Sequence, residues 1–150
     1  MLTINKMKNE GFTLLISIMV MGTLLLIASG VVSLAFKQSL ISSSGRESQN
    51  AFYAADTGME CAIYWDIKNS SGQSAFATTT GSQIVCNNQT MIVGGSSQSV
   101  FTFNLSPEPY CAIVKVTKNA DNTTLIESKG YNTCDVSNPR RVERAVRASY

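Results

Sequence analysis

The sequence predicts an α+β chain: one long N-terminal helix, apolar all round in its first half and amphipathic in its second, packed on a small antiparallel sheet. Three observations carry this expectation. Phe12 to Phe36 is a run of 25 residues without a charge. After a short serine-rich interruption, Phe52, Ala55, Met59, Ala62 and Ile63 recur at spacings of three and four, which places them on one face of a helix. From Ser70 onward the composition turns to Ser, Thr, Gly and Asn, with short β-prone runs between turn residues. The expected organisation is a polar segment 1–11, a membrane-type helix 12–36, its amphipathic continuation 37–66, and a β-rich head 67–150.

As a helix, residues 12–36 reach ~37 Å, enough to cross a hydrocarbon core of ~30 Å with some tilt. A helix apolar on every face is a membrane span rather than a surface helix of a soluble domain. A cleaved secretory signal has a shorter apolar core with its small-residue site behind it. Here the small-residue junction, Gly11-Phe12, lies in front, after a short segment carrying Lys6, Lys8 and Glu10. Lys37 and Gln38 end the run. Ser39, Ser42, Ser43, Ser44 and Gly45 follow, weak helix formers that mark a candidate bend. Arg46, Gln49, Asn50 and Asp56 mostly lie off the apolar face of the second half, and Asn69-Ser70-Ser71-Gly72 stops it.

Beyond the helix, residues 73–82 read as loop. Ile84-Val85-Cys86 and Met91-Ile92-Val93 are short strands around a turn at Asn87-Asn88. Phe101, Phe103 and Leu105 share one face of a half-buried strand, closed by Pro107 and Pro109. Ala112, Val114 and Val116 alternate in the next strand, and residues 118–123 are turn chemistry leading to Leu125-Ile126. The tail RRVERAVRASY is amphipathic either way. As a strand it sets Val142, Val146, Ala148 and Tyr150 on one face with Arg144 the only charge there, and a hairpin with residues 124–133 costs little closure entropy.

Composition narrows the function classes. The formal charge of +2, or +1 without residues 1–11, gives no field strong enough to gather nucleic acid or anionic lipid over the whole surface. The chain has no histidine, which removes the commonest general base and the commonest zinc ligand. Cys61, Cys86, Cys111 and Cys134 stand 23 to 25 residues apart, fitting no CxxC metal or redox spacing. An even number in an exported segment reads as two disulfides, each worth ~2–4 kcal/mol to a domain this small. Neither a metal nor another cofactor is expected.

Asp56 and Glu60 are four apart, but without a histidine they read as solvated, or paired with Arg46 or Lys68, rather than as catalytic carboxylates. An anchored hydrolase would need a nucleophile and base that the chain does not offer. Arg140, Arg141, Arg144 and Arg147 form the densest basic patch, a surface for an acidic partner subunit or the rim of a sheet. The lack of interleaved aromatics argues against nucleic acid. Asn69-Ser70-Ser71, Asn88-Gln89-Thr90 and Asn122-Thr123-Thr124 match the glycosylation sequon, a pattern short enough to arise by chance.

The junction GFTLL at the head of a long apolar helix resembles the class III leader of type IV pilins and type II secretion pseudopilins. AFYAADTGMECAIYWD (residues 51–66) looks like the AFYAAEAGxE segment of PilX-type minor pilins, and GYN…RRVER is similar to their C-terminus, where the chain ends in a strand. The resemblance spans residues 6–66, is weaker over 124–150, and is absent between. It implies a pilin-like fold, and it selects the strand reading for the tail.

It also implies that residues 1–11 are a leader. A prepilin peptidase would cut between Gly11 and Phe12 on the cytoplasmic side and methylate the new amino terminus of Phe12. Of three possible disulfide connectivities, Cys61–Cys86 and Cys111–Cys134 are favoured: a meander brings the latter two together, and that pair resembles the C-terminal disulfide loop of many pilins. The departure from the family is Ile16, which stands where most pilins have a glutamate at the fifth mature position. Tip-type (K) pseudopilins and PilX-like minor pilins lack that glutamate too.

The resemblance therefore implies a non-enzymatic minor subunit of a type IV pilus or pseudopilus, at or near the tip, acting in filament initiation and assembly and in adhesion or secretion. Its partners would be other pilin subunits, the peptidase and the inner membrane, with no small-molecule substrate. It would be single-pass in the inner membrane with its C-terminal domain outside, and part of a surface filament after assembly. The rival expectation is a membrane-anchored extracytoplasmic binding protein that does not polymerise.

Overall fold

The computed structural model describes residues 7–68 and 72–150. Lys6 and the sequon Asn69-Ser70-Ser71 lie outside the described residues. One long helix, α1 (Met7–Ile63), passes into a π-helical turn (Tyr64–Lys68). Six strands follow: β1 (Gly81–Cys86), β2 (Gln89–Gly94), β3 (Gln98–Asn104), β4 (Cys111–Lys118), β5 (Thr124–Tyr131) and β6 (Glu143–Ser149). The α+β expectation holds: a long N-terminal apolar helix and a small antiparallel sheet on which its second part packs. The chain divides into two compact units between Ser43 and Ser44.

In the first unit every side chain from Gly11 to Ser43 is exposed. This helix is long and apolar enough to cross a membrane, by length and composition. The serine-rich stretch proposed as a bend stays α-helical, although the boundary between the two units falls within it.

In the second unit β3, β4, β5 and β6 form an antiparallel meander in that order, and β1 and β2 a separate hairpin. Asn87 and Asn88, with φ of 46° and 59°, are the two-residue turn of that hairpin, where Cys86 pairs with Gln89. Two positive φ values match the twist of the flanking strands, and asparagine tolerates them. The tail is a strand paired with β5 from Leu125↔Ser149 to Tyr131↔Glu143. Phe101 and Phe103 point inward with Val114, Val116 and Ile126, and Leu105 is partly buried against them. Residues 73–82 are more than loop: Ala75 and Phe76 are buried, Phe76 stacks on Phe101 at 5.9 Å, and Gly81 and Ser82 already belong to β1.

The buried face of α1 differs from the one predicted by large apolar residues. Ala51, Ala54, Ala55, Met59 and Ala62 are buried, whereas Phe52 is 48% exposed and Ile63 only half-buried. The reason is distance. A Cβ on Gly130 of β5 would lie 2.1 Å from both the Ala51 carbonyl oxygen and the Ala55 nitrogen. A Cβ on Gly58 would lie 2.4 Å from Ser128 Oγ and 2.8 Å from a Val114 methyl. The helix backbone rests on the strand backbone, so only small side chains fit between them. Ser128 Oγ, fully buried beneath Gly58, has no hydrogen-bond partner among the described residues.

On an exposed helix Gly→Ala is worth about 1 kcal/mol of added stability. Here the sign reverses. Gly58→Ala should lose about 1–3 kcal/mol by overpacking, and Gly130→Ala more, because its clash is with backbone. Ser128→Ala should be neutral or stabilising by up to about 1 kcal/mol, since it removes an unsatisfied buried hydroxyl. Urea unfolding of the three variants in detergent checks the order.

Candidate functional site

The head is tied together at both ends of its helix. At the far end Asp66 reaches inward from the π-helical turn, its side chain only 2% exposed. Lys118 Nζ donates to both carboxylate oxygens at 2.7 and 2.8 Å and to Thr124 Oγ1 at 2.7 Å. Tyr150 OH donates at 2.6 Å, and Ser74 Oγ closes the set. Burial pushes the Asp66 carboxyl up, but the hydrogen bonds from Lys118, Ser74 and Tyr150 and the lysine charge overcome it and hold the group below the ordinary value of 3.8. The same burial and the carboxylate beside it push the Tyr150 phenol well above its ordinary value. Main-chain bonds between Thr124 and Tyr150, at 2.7 and 3.1 Å, lock the β5–β6 pair over this cluster.

At the near end the GYN…RRVER residues divide the work. Gly130 admits the helix. Tyr131 lies under the Arg141 guanidinium, 3.7 Å from its ring centroid, and donates to Glu143 at 2.6 Å. Burial, then the bond to Glu143, pushes its phenol up to about 12. Asn132 is buried: its Nδ2 donates to Glu47 of α1 at 2.7 Å and to the Arg140 carbonyl at 3.1 Å, and its Oδ1 accepts from Val142 N at 2.6 Å. Arg144 Nε donates to Ser48 of α1 at 2.7 Å.

The four arginines therefore do not make one patch. Arg144 lies on the helix side of the sheet, Arg147 on the opposite side beside Glu127 at 3.8 Å, and Arg141 is stacked on Tyr131. Arg140 is exposed in the loop before β6. Asp56 is half-buried and Glu60 exposed on the helix. Gly11, Phe12 and Ile16 are exposed positions of the first unit's helix, and a Cβ on Gly11 would meet nothing within 4 Å.

The Cys61–Cys86 disulfide joins α1 to β1, as expected. The second expected bridge is absent. Cys111 and Cys134 are free thiols, brought side by side at the start of β4 and in the loop after β5, as the meander requires. Burial and the hydrogen bond with Cys111 push the Cys134 thiol up. Among the described residues no group of three His, Cys, Asp or Glu side chains could hold a metal.

Asp66, Lys118, Tyr150 and Asn132 were not singled out by the sequence. One signal was available for Asp66: it falls four residues after Ala62, a charge continuing an apolar stripe. The alternation of the tail set Tyr150 on one face with Val146 and Ala148, but no signal foretold Lys118, which arrives from β4. No family model, curated protein or solved structure matches this chain.

The Asp66 cluster makes the head acid-labile in a defined window. A depressed carboxyl contributes stability above its unfolded value of 3.8, and that contribution is lost as pH falls through the lower folded value. Asp66→Asn should therefore cost about 2–3 kcal/mol at pH 7, because it strands Lys118 as a partly buried cation. It should also flatten the fall in urea midpoint below pH 3.8 relative to the parent. Urea titrations of both proteins across that range measure it.

Proposed function

We propose that this chain is a minor subunit of a type IV pilus or type II secretion pseudopilus, PilX-like or K-type, and that its work is assembly rather than catalysis. The observation that carries the reading is the uncharged exposed helix that follows Gly11-Phe12, with Ile16 at the fifth position beyond the junction. A second observation supports it. Two segments of the resemblance, more than seventy residues apart, meet in the head: Ala51 and Ala55 against Gly130, Glu47 against Asn132, and Ser48 against Arg144. They belong to one structural unit.

In this reading the helix is stored in the inner membrane and then moves into a filament core of neighbouring helices. Lipid and a helix bundle are similarly apolar, so packing and polar pairing decide the transfer. Gly22 and Gly30, whose added Cβ atoms would meet nothing in this chain, leave room for a neighbour. The mature amino group of Phe12 would be received by a glutamate of another subunit. Ile16 offers no such group in return, so the chain donates and does not receive.

Two outcomes are expected. Mass spectrometry of membrane or filament fractions should find Phe12 as the N-terminal residue, methylated, with Gly11→Ala slowing cleavage. An intact Met1 in cells with active peptidase refutes processing and favours the non-polymerising anchor. In sheared filaments the chain should be present in far fewer copies than the main subunit, and its deletion should reduce the number of filaments more than their length. Each shaft copy would otherwise leave an amino charge unpaired in a dry core, at a cost of several kcal/mol. Parity with the main subunit refutes the tip assignment.

A further inference from the structure

The two edges of the four-stranded sheet are treated differently. The β3 edge is covered by the β1–β2 hairpin. The Asn104 carbonyl accepts from Asn87 Nδ2 at 2.7 Å and Gln89 Nε2 at 2.6 Å, its N–H donates to Gln89 Oε1 at 3.1 Å, and Ser99 Oγ accepts from Gly94 N at 2.9 Å. The β6 edge has no neighbouring strand among the described residues. Thr124 and Tyr150 exchange both main-chain bonds, so by antiparallel alternation Ala148, Val146 and Arg144 bond β5. Glu143, Ala145, Arg147 and Ser149 turn their N–H and C=O groups outward, and all four are exposed. Seven residues of regular strand without proline or bulge form a long open edge.

The geometry points to this edge as a docking site for an extended acidic segment of a partner protein, added as a fifth strand. Main-chain bonds to the four outward residues would give affinity, and side-chain charge would give selectivity. The charge around the edge is positive. Arg147 lies on one face, Arg144 on the other, and Arg140 leads into the strand. Two acids stand among these cations: Glu143 is taken by Lys129 at 3.1 Å and Tyr131 at 2.6 Å, and Glu127 lies 3.8 Å from Arg147 in a solvent-exposed pair. Arg144 and Arg147 are three apart on opposite faces, so a paired strand meets both with two acidic residues three apart.

A second copy of this chain fits less well. Antiparallel pairing of β6 about Ala145 does set Glu143 opposite Arg147. The same pairing, however, sets Arg144 opposite Val146, so that cation of each copy meets no acid. The inference is independent of polymerisation, since it needs only the head.

The test uses the full chain in detergent and a labelled peptide, Thr-Val-Glu-Val-Thr-Asp-Thr-Val, as probe. Binding with a Kd below ~1 mM is expected, with hydrogen exchange slowed at Glu143, Ala145, Arg147 and Ser149 and unchanged at the residues between. Ala145→Pro removes one outward N–H without touching the β5 ladder, so it should keep the Cys61–Cys86 link and lose binding. Arg144→Glu with Arg147→Glu should weaken binding by about three- to tenfold. No protection at saturating probe, protection spread evenly along β6, equal binding of the lysine counterpart peptide, or dimerisation of the chain through this edge would each overturn the proposal.

Discussion

The helix of the head lies so close to β5 that no side chain can stand between their backbones at Gly130. Much of the head's architecture depends on that separation. It requires small residues at Ala51, Ala54, Ala55 and Gly58, which turns the aromatic side chains of Phe52 and Tyr53 outward. It also brings Glu47 and Ser48 within hydrogen-bond reach of Asn132 and Arg144. A wider gap would lose these bonds, and a large residue at either glycine position would widen it. Close packing of this kind gives dispersion contacts rather than large buried areas. The larger apolar burial is displaced to the β3 side of the sheet, where Phe76 and Phe103 each stack on Phe101.

Polar groups secure the two ends of that contact. Asn132 and Arg144 hold the near end, while Asp66, Lys118 and Tyr150 hold the far one. The final strand thus engages the helix turn at Tyr150 and the helix itself at Arg144, while the strand's outward edge stays open. A buried carboxylate is tolerable only when fully hydrogen-bonded, and Asp66 has a lysine, a serine and a tyrosine around it. Such a cluster contributes less to net stability than its hydrogen bonds suggest, because desolvating the carboxylate and the ammonium offsets much of their attraction.

The two units have opposite surface chemistry. Residues 12–36 expose apolar side chains with no charge among them, while the head keeps its apolar groups largely inside and its charges on sheet faces and loops. This contrast suits a chain whose helix is solvated by lipid or by other helices and whose head works in water. The disulfide between Cys61 and Cys86 reinforces the head where α1 ends, and Trp65 Nε1 bonds the Val85 carbonyl at 3.1 Å beside it. The junction of helix and hairpin is thereby held by covalent, polar and apolar contacts together.

Local chemistry wrote much of this into the sequence. The uncharged run, the Asn87-Asn88 turn, the alternation of Phe101 with Phe103 and of Val114 with Val116, and the terminal strand all follow from periodicity and turn preference, which act over a few residues. The Cys61–Cys86 link was legible as the pair left over once a meander had set Cys111 beside Cys134. The helix face was misread at Phe52, because hydrophobicity ranks side chains by size and the contact here selects for smallness. The buried role of Phe76 inside an expected loop, the dispersal of four arginines over two sheet faces, and the Asp66–Lys118–Tyr150 cluster were set by tertiary structure. Each joins residues that are neighbours only after the strands have paired, and pairing register is a property of the whole sheet rather than of any one segment.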